Sequence, residues 1–176
     1  QILESPRRLR SQFDGWLRPC LSNTELSLDV GCGSGGLLAE AASRGLPMAG
    51  IDASMTMLVA AKHMIESRGG VARLACAYAE ALPVKSDSLG AVLMYDSIEH
   101  VANVRDTLDE SRRVLKPGGF MAISTPNRFS LAAEPHVFLW GVGWLPRALQ
   151  ESYVRWRNGQ DYRGTCLLST REMSRE

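Results

Sequence analysis

Residues 28–36 read L-D-V-G-C-G-S-G-G, and residues 37–42 continue L-L-A-E-A-A. Three strand-like residues run into a cluster of glycines and then into good helix formers, a pattern that predicts strand, tight turn and helix. Glycines permit positive φ and, having no Cβ, let a ligand lie directly against the backbone. The helix that follows turns its free N–H groups toward such a ligand. The stretch therefore predicts a nucleotide-like cofactor site.

Gly31, Gly33 and Gly36 satisfy G-x-G-x-x-G, the dinucleotide spacing in which a helix N-terminus receives a pyrophosphate. Two neighbours point to a different ligand. Asp29 stands two residues before the first glycine, and Gly31, Gly33 and Gly35 also give G-x-G-x-G. A carboxylate at the mouth of the loop repels a pyrophosphate in a shared low-dielectric site and suits a cation. The alternative for Asp29 is a loop-capping carboxylate. The run D-V-G-C-G-S-G closely resembles motif I of the class I S-adenosylmethionine (SAM) methyltransferases, whose cofactor carries an ammonium and a sulfonium and no phosphate. The resemblance implies that Gly31, Gly33 and Gly35 bring the backbone against SAM while Asp29 helps to neutralise its amino end.

A chain of 176 residues with 45% hydrophobic and 22% charged residues supports one globular domain with a real core. The formal net charge of +1 leaves no electrostatic footprint for nucleic acid, so none is expected as a partner. Cys20, Cys32, Cys76 and Cys166 are far apart and form no C-x-x-C; reduced core thiols and a cytoplasmic location are expected, and no metal-ligating set. The longest apolar run, residues 137–145, is too short to span a bilayer. The chain begins at Gln1, so upstream residues are expected in the natural protein.

Residues 1–20 mix apolar and basic positions around Pro6, Gly15 and Pro19 and read as one or two helices packed on a sheet. Strands are expected at 26–30, 48–51, 71–77, 89–95 and 120–124. Ser54 and Asn103 are expected N-caps, and Gly69-Gly70 and residues 116–119 (K-P-G-G) are helix stops. Five alternations of strand and helix predict an α/β, doubly wound, mostly parallel sheet of Rossmann-like type.

Asp52 ends the second strand 21 residues after Gly31, where an acid can accept both hydroxyls of a ribose; a helix-capping role is the alternative. The run I-D-A-S-M-T-M-L resembles the family's next motif, which implies that Ala53 and Met57 pack on adenine. A-Y-A-E-A-L-P-V-K-S-D-S-L-G-A-V resembles G-D-A-E-x-L-P-F-x-D-x-S-F-D-x-V. It departs from it at Tyr78, where the family has an adenine-binding Asp, and at Gly90, where it has the strand-four Asp. Tyr78 is then expected to stack on adenine beside the Ala79 backbone. Residues 95–101, Y-D-S-I-E-H-V, resemble the motif after strand four, which implies Tyr95 on the cofactor side and Asp96 on the substrate side. Histidine titrates near neutral pH, so His100 is the natural general base; bonding that merely shapes the loop is the alternative. V-L-K-P-G-G-F-M-A-I-S-T-P-N-R is a further family match. It resembles small-molecule methyltransferases of quinone and secondary metabolism, and implies Asn127 and Arg128 at the substrate edge.

Residues 129–176 change character, with His136, Phe138, Trp140, Trp144, Tyr153 and Trp156 crowded together. The expectation is a SAM-binding core over 1–128 and, within the same domain, an aromatic-rich lid or cap over 129–176. Such a lid suits a large apolar acceptor or a peripheral membrane contact, the alternative being aromatics packed on the sheet. The family's C-terminal strand hairpin is missing from the pattern, which would leave strand five an exposed edge, so a longer natural chain or a covering partner is expected. The implied function is SAM-dependent methyl transfer to a small molecule, with a hydroxyl oxygen preferred. The alternatives are a catalytically silent SAM-fold interaction or regulatory module and an NAD-dependent oxidoreductase.

Overall fold

The computed structural model describes residues 11, 13–18 and 21–175. Most of the expected N-terminal helical region, with Cys20, lies outside the described residues; within it a single π-helical turn covers Phe13–Leu17. The chain divides into two compact units, one running up to Ser124 and one from Thr125 onward.

The first unit holds the sheet. Its strands are β1 (Ser27–Val30), β2 (Met48–Asp52), β3 (Leu74–Cys76), β4 (Leu89–Tyr95) and β5 (Leu115–Ser124), with helices α1 (Gly36–Ser43), α2 (Met55–Glu66) and α3 (Val104–Val114) between them. All pairings are parallel and the order is β3-β2-β1-β4-β5. The chain winds outward from β1 to β3, then returns to the other side of β1 for β4 and β5. That reversal makes the β1/β4 junction a topological switch point, the place where open α/β sheets bind ligands outside their carboxyl ends.

Both expected caps form. The Ser54 hydroxyl accepts from the Met57 N–H at 3.4 Å, and Asn103 Oδ1 accepts from Arg105 and Asp106 at 3.0 and 3.3 Å. Two strands differ from expectation. β3 starts three residues late because it is an edge strand whose single neighbour meets it only at Gly50, Ile51 and Asp52. β5 starts at Leu115, opposite Leu89, and then shifts register before Phe120 meets Ala91. The K-P-G-G run is thus a bulge inside the strand, with Gly118 at φ 83°.

Alternate residues of β4 serve opposite faces of the sheet. Ala91 and Leu93 join a cluster with Phe13, Leu17, Leu37, Leu38, Leu58 and Ile65, so the Phe13–Leu17 turn, α1 and α2 share one face. Of the described cysteines only Cys32 is buried; Cys76 and Cys166 are exposed, which corrects the expectation of core thiols. Gly90 also has a structural reason. A Cβ there would come within 2.6 Å of Glu25 Oε2, and Glu25 pairs with Lys116 at 3.1 Å. The Glu25 carboxylate therefore occupies the space into which an acid at position 90 would grow.

The second unit contains a 3-10 turn (Val142–Trp144) and helices α4 (Arg147–Asn158) and α5 (Thr170–Met173). Its core is Val137, Val142, Val154 and Tyr162, backed by Leu139 and Tyr153. Apart from Tyr153 and Tyr162, the aromatics are not its core: Phe129, Phe138, Trp140, Trp144 and Trp156 are all exposed. Residues 165–169, the last strand-like run, provide one parallel bridge from Leu168 to Asn127. No described helix is long and apolar enough to cross a membrane.

Candidate functional site

The glycine loop leaves β1 at the switch point. Gly31, Gly33 and Gly35 all take positive φ, at 78°, 51° and 80°. At Gly31 the requirement is also steric, since a Cβ would lie 2.5 Å from that of Ser97. Ser97 in turn donates its hydroxyl hydrogen to the Val30 carbonyl at 2.7 Å, which ties the end of β4 to the end of β1. Gly35 lies equally close to α2, with 2.8 Å from its would-be Cβ to that of Ala61. The loop is thus a cradle of bare backbone, braced from both sides.

Two carboxylates serve it. Asp52, at the carboxyl end of β2, accepts the Gly33 N–H on one oxygen and the Ser54 N–H on the other, both at 2.8 Å. Asp29 is 3% exposed inside β1. Burial, and secondarily the Asp52 charge, push its carboxyl up to about 7. An acid so placed is stabilised by a cation and made still worse by an anion. Cys32, on the same loop, has its thiol pushed far up by burial and by these two acids, so it is inert as a nucleophile.

Parallel strands bring the remaining candidates to the same edge. Ala53 is exposed and Met57 half-buried at the start of α2. After β3 come Tyr78, 72% exposed, and the half-buried Ala79. β4 ends on the half-buried Tyr95, and after it come the half-buried Asp96 and a 3-10 turn, Ile98–His100, that leaves His100 exposed and buries Glu99 completely. Sequence reasoning passed over Glu80. Its Oε1 accepts the N–H groups of Ala102 and Asn103 at 2.7 and 3.1 Å, bracing the loop that bears Tyr78 against the loop that bears His100. Ser97 was passed over too, because its partners are distant in sequence and no local pattern marks it.

Asn127 and Arg128 belong to the second unit. Asn127 caps its own turn through Phe129 at 2.9 Å and donates to Thr170 at 3.0 Å. The Arg128 guanidinium donates to the carbonyls of Gly143 (2.9 Å) and Leu145 (3.3 Å) and pairs with Glu172 at 3.6 Å. Those contacts give Arg128 a structural task, holding the Val142–Trp144 turn. His136, left open by the sequence, bonds through Nδ1 to the buried Glu134 at 2.5 Å; Glu134 also accepts the backbone N–H groups of His136 and Val137.

A family profile described as a methyltransferase domain matches residues 28–123, more than half of the chain and the whole of the glycine loop and sheet edge. This chain belongs to the class I SAM-dependent methyltransferases. Among curated proteins it is 36% identical to the ubiquinone biosynthesis O-methyltransferase of Parvibaculum lavamentivorans over 132 residues, which is 70% of this chain and 50% of that protein. It is 37% identical to the enzyme of that name from Cereibacter sphaeroides over 154 residues, 82% of this chain and 60% of that one. The chain thus spans about half the length of the curated relatives it matches. The YcgJ protein of Bacillus subtilis shares the fold, with a TM-score of 0.71 at 20% identity over 96% of this chain and 65% of its own. The methyltransferase cofactor is SAM, and the residues present fit it: a glycine cradle without side chains, a buried acid poised for a cation and a second acid at the end of β2.

Proposed function

We propose that the protein transfers a methyl group from SAM to a hydroxyl oxygen of a small ring acceptor, of the class of a phenolic quinone precursor. The observation that carries this reading is Asp29, a buried acid held at about 7 beneath a cradle of bare backbone. It favours a cationic cofactor and disfavours the pyrophosphate of NAD, which the glycine spacing alone would accept. The preference for oxygen rests on the curated relatives, whose names are O-methyltransferases.

When bound, SAM supplies an electrophilic methyl on a sulfonium. The chain's own residues do the rest. Gly31, Gly33 and Gly35 admit the cofactor to the backbone, Asp29 compensates its positive charge, Asp52 receives the ribose, and Ala53, Met57, Tyr78 and Ala79 bound the adenine. Tyr95 lies on the cofactor side and Asp96 on the acceptor side. Holding nucleophile and methyl in line supplies most of the acceleration. An acceptor hydroxyl must also lose its proton, and His100 receives it. The unit from Thr125 onward, with its outward aromatics, offers a surface suited to an apolar compound.

Calorimetric titration with S-adenosylhomocysteine, with NADH as control, tests the cofactor, and transfer of labelled methyl from SAM to a prenylated catechol tests the reaction. Micromolar homocysteine-adduct binding that Asp52→Ala abolishes, together with transfer, is the expected result. Binding without transfer to any phenolic acceptor would favour a silent SAM-fold module. NADH binding in its place would favour an oxidoreductase.

A further inference from the structure

We infer that Ser124 is a positioning residue for methyl transfer, acting by fixing the Asp96 carboxylate at the acceptor. The inference rests on the methyltransferase reading above and deepens it.

Asp96 is the first residue beyond the β4 ladder, whose last pair is Tyr95 with Ser124. Its neighbours on both sides are pinned. Tyr95 lies in the ladder, and the Ser97 hydroxyl holds the Val30 carbonyl at 2.7 Å. Between these anchors the backbone of Asp96 turns left-handed, with φ 47°. An L-residue rarely takes that conformation, and where it persists the surroundings over-determine it. Here Ser124 closes the turn twice. Its carbonyl accepts the Asp96 N–H at 2.8 Å, and its hydroxyl donates to Asp96 Oδ1 at 3.2 Å.

The two bonds have different consequences. The backbone bond continues the sheet and needs no particular side chain at position 124. The hydroxyl bond orients only the carboxylate. A carboxylate locked at the carboxyl edge beside the switch point is a preorganised acceptor for the hydrogen of an incoming hydroxyl, and it directs an oxygen lone pair toward the methyl. Without the Ser124 hydroxyl the carboxylate loses one of the bonds that set its orientation, while the backbone bond and the fold are unchanged. Misplacement on that scale reduces the rate without displacing the cofactor.

The test uses the full chain, SAM and a prenylated catechol. Ser124→Ala is expected to keep the thermal midpoint and the S-adenosylhomocysteine Kd, and to lower kcat/KM for the catechol about tenfold. Ser124→Thr, which restores the hydroxyl, is expected to recover most of that loss. In an Asp96→Ala background, Ser124→Ala is expected to add nothing, the signature of one residue acting through another. Wild-type kcat/KM in Ser124→Ala, or its full loss persisting in the Asp96→Ala background, would overturn the inference alone. Failure of the unaltered protein to bind S-adenosylhomocysteine or to methylate the catechol would overturn the underlying reading, and this inference with it.

Discussion

Asp29 shows how much one buried side chain can dictate. Its carboxyl is pushed up to about 7, first by burial and then by the Asp52 charge. Because the folded protein holds this proton more tightly than the unfolded chain, stability without cofactor falls as pH rises from about 4 to about 7 and is level above. An ammonium placed beside it, such as that of the cofactor's amino end, reverses the preference. Below about 7 its binding must expel the proton, so affinity for S-adenosylhomocysteine is expected to rise by up to about tenfold per pH unit toward 7 and then flatten. Calorimetry across pH 5.5–8.5 checks this, and Asp29→Asn should flatten the profile while weakening binding at pH 8. Gly31 gives a second expectation at this scale. Gly31→Ala places a Cβ 2.5 Å from that of Ser97 at a φ of 78°, and should abolish measurable cofactor binding. Adding Ser97→Gly relieves the clash but leaves the backbone strain, so recovery should be partial.

At the scale of elements, the loops matter more than the strands that carry them. The connection from β3 to β4 has no regular structure of its own, and α3 and the turn before it hold it in place. Arg113 donates to the carbonyls of Leu82 and Val84 at 3.0 and 2.9 Å, Glu110 accepts the Leu82 N–H at 2.8 Å, and Glu80 accepts from Ala102 and Asn103. Glu80 is the one of these that joins the Tyr78 loop to the His100 loop. Glu80→Ala leaves two N–H groups to water, so the expected stability loss is only about 1 kcal/mol, a midpoint shift of about 2–4 °C by thermal melting. The functional effect should be larger, because both loops lose their common anchor, and catechol kcat/KM is expected to fall more than cofactor affinity. Glu80→Gln keeps an accepting oxygen and should behave close to the unaltered protein.

At the scale of the whole molecule, the two units differ in what they expose. The sheet-bearing unit contains every candidate cofactor residue, and the unit from Thr125 onward contains a small aliphatic core with its aromatics turned outward. Trp140 and Trp144 direct their indole N–H groups to the carbonyls of Leu131 and Ser130, at 3.2 and 3.3 Å, while both rings stay largely exposed. If these faces bind the apolar acceptor, Trp140→Ser with Trp144→Ser should raise KM for a prenylated catechol several-fold. It should leave KM for plain catechol and the S-adenosylhomocysteine Kd unchanged. The two histidines can be separated in the same assay: His100→Ala should lower kcat for the catechol about a hundredfold, and His136→Ala should leave it close to that of the unaltered protein.

Local chemistry made much of this legible in advance. The strand-glycine-helix pattern, the caps at Ser54 and Asn103, the acid at the end of β2 and the five strands depend on neighbours within a few residues, which a sequence displays directly; helices follow three of those strands where five alternations were expected. What depended on distant partners was not legible. Glu25 filling the space over Gly90, Ser97 against Gly31, Glu80 across two loops and Ser124 on Asp96 join residues 22 to 66 positions apart. The elevated carboxyl of Asp29 belongs to the same class, since desolvation is a property of the packed sheet and not of the residue. Periodicity, glycine freedom and charge, all present along the chain itself, specify the parallel sheet and the kind of cofactor its loop admits. How the two acids and the serines are held came from the folded sheet alone, because those contacts exist only once the strands lie side by side.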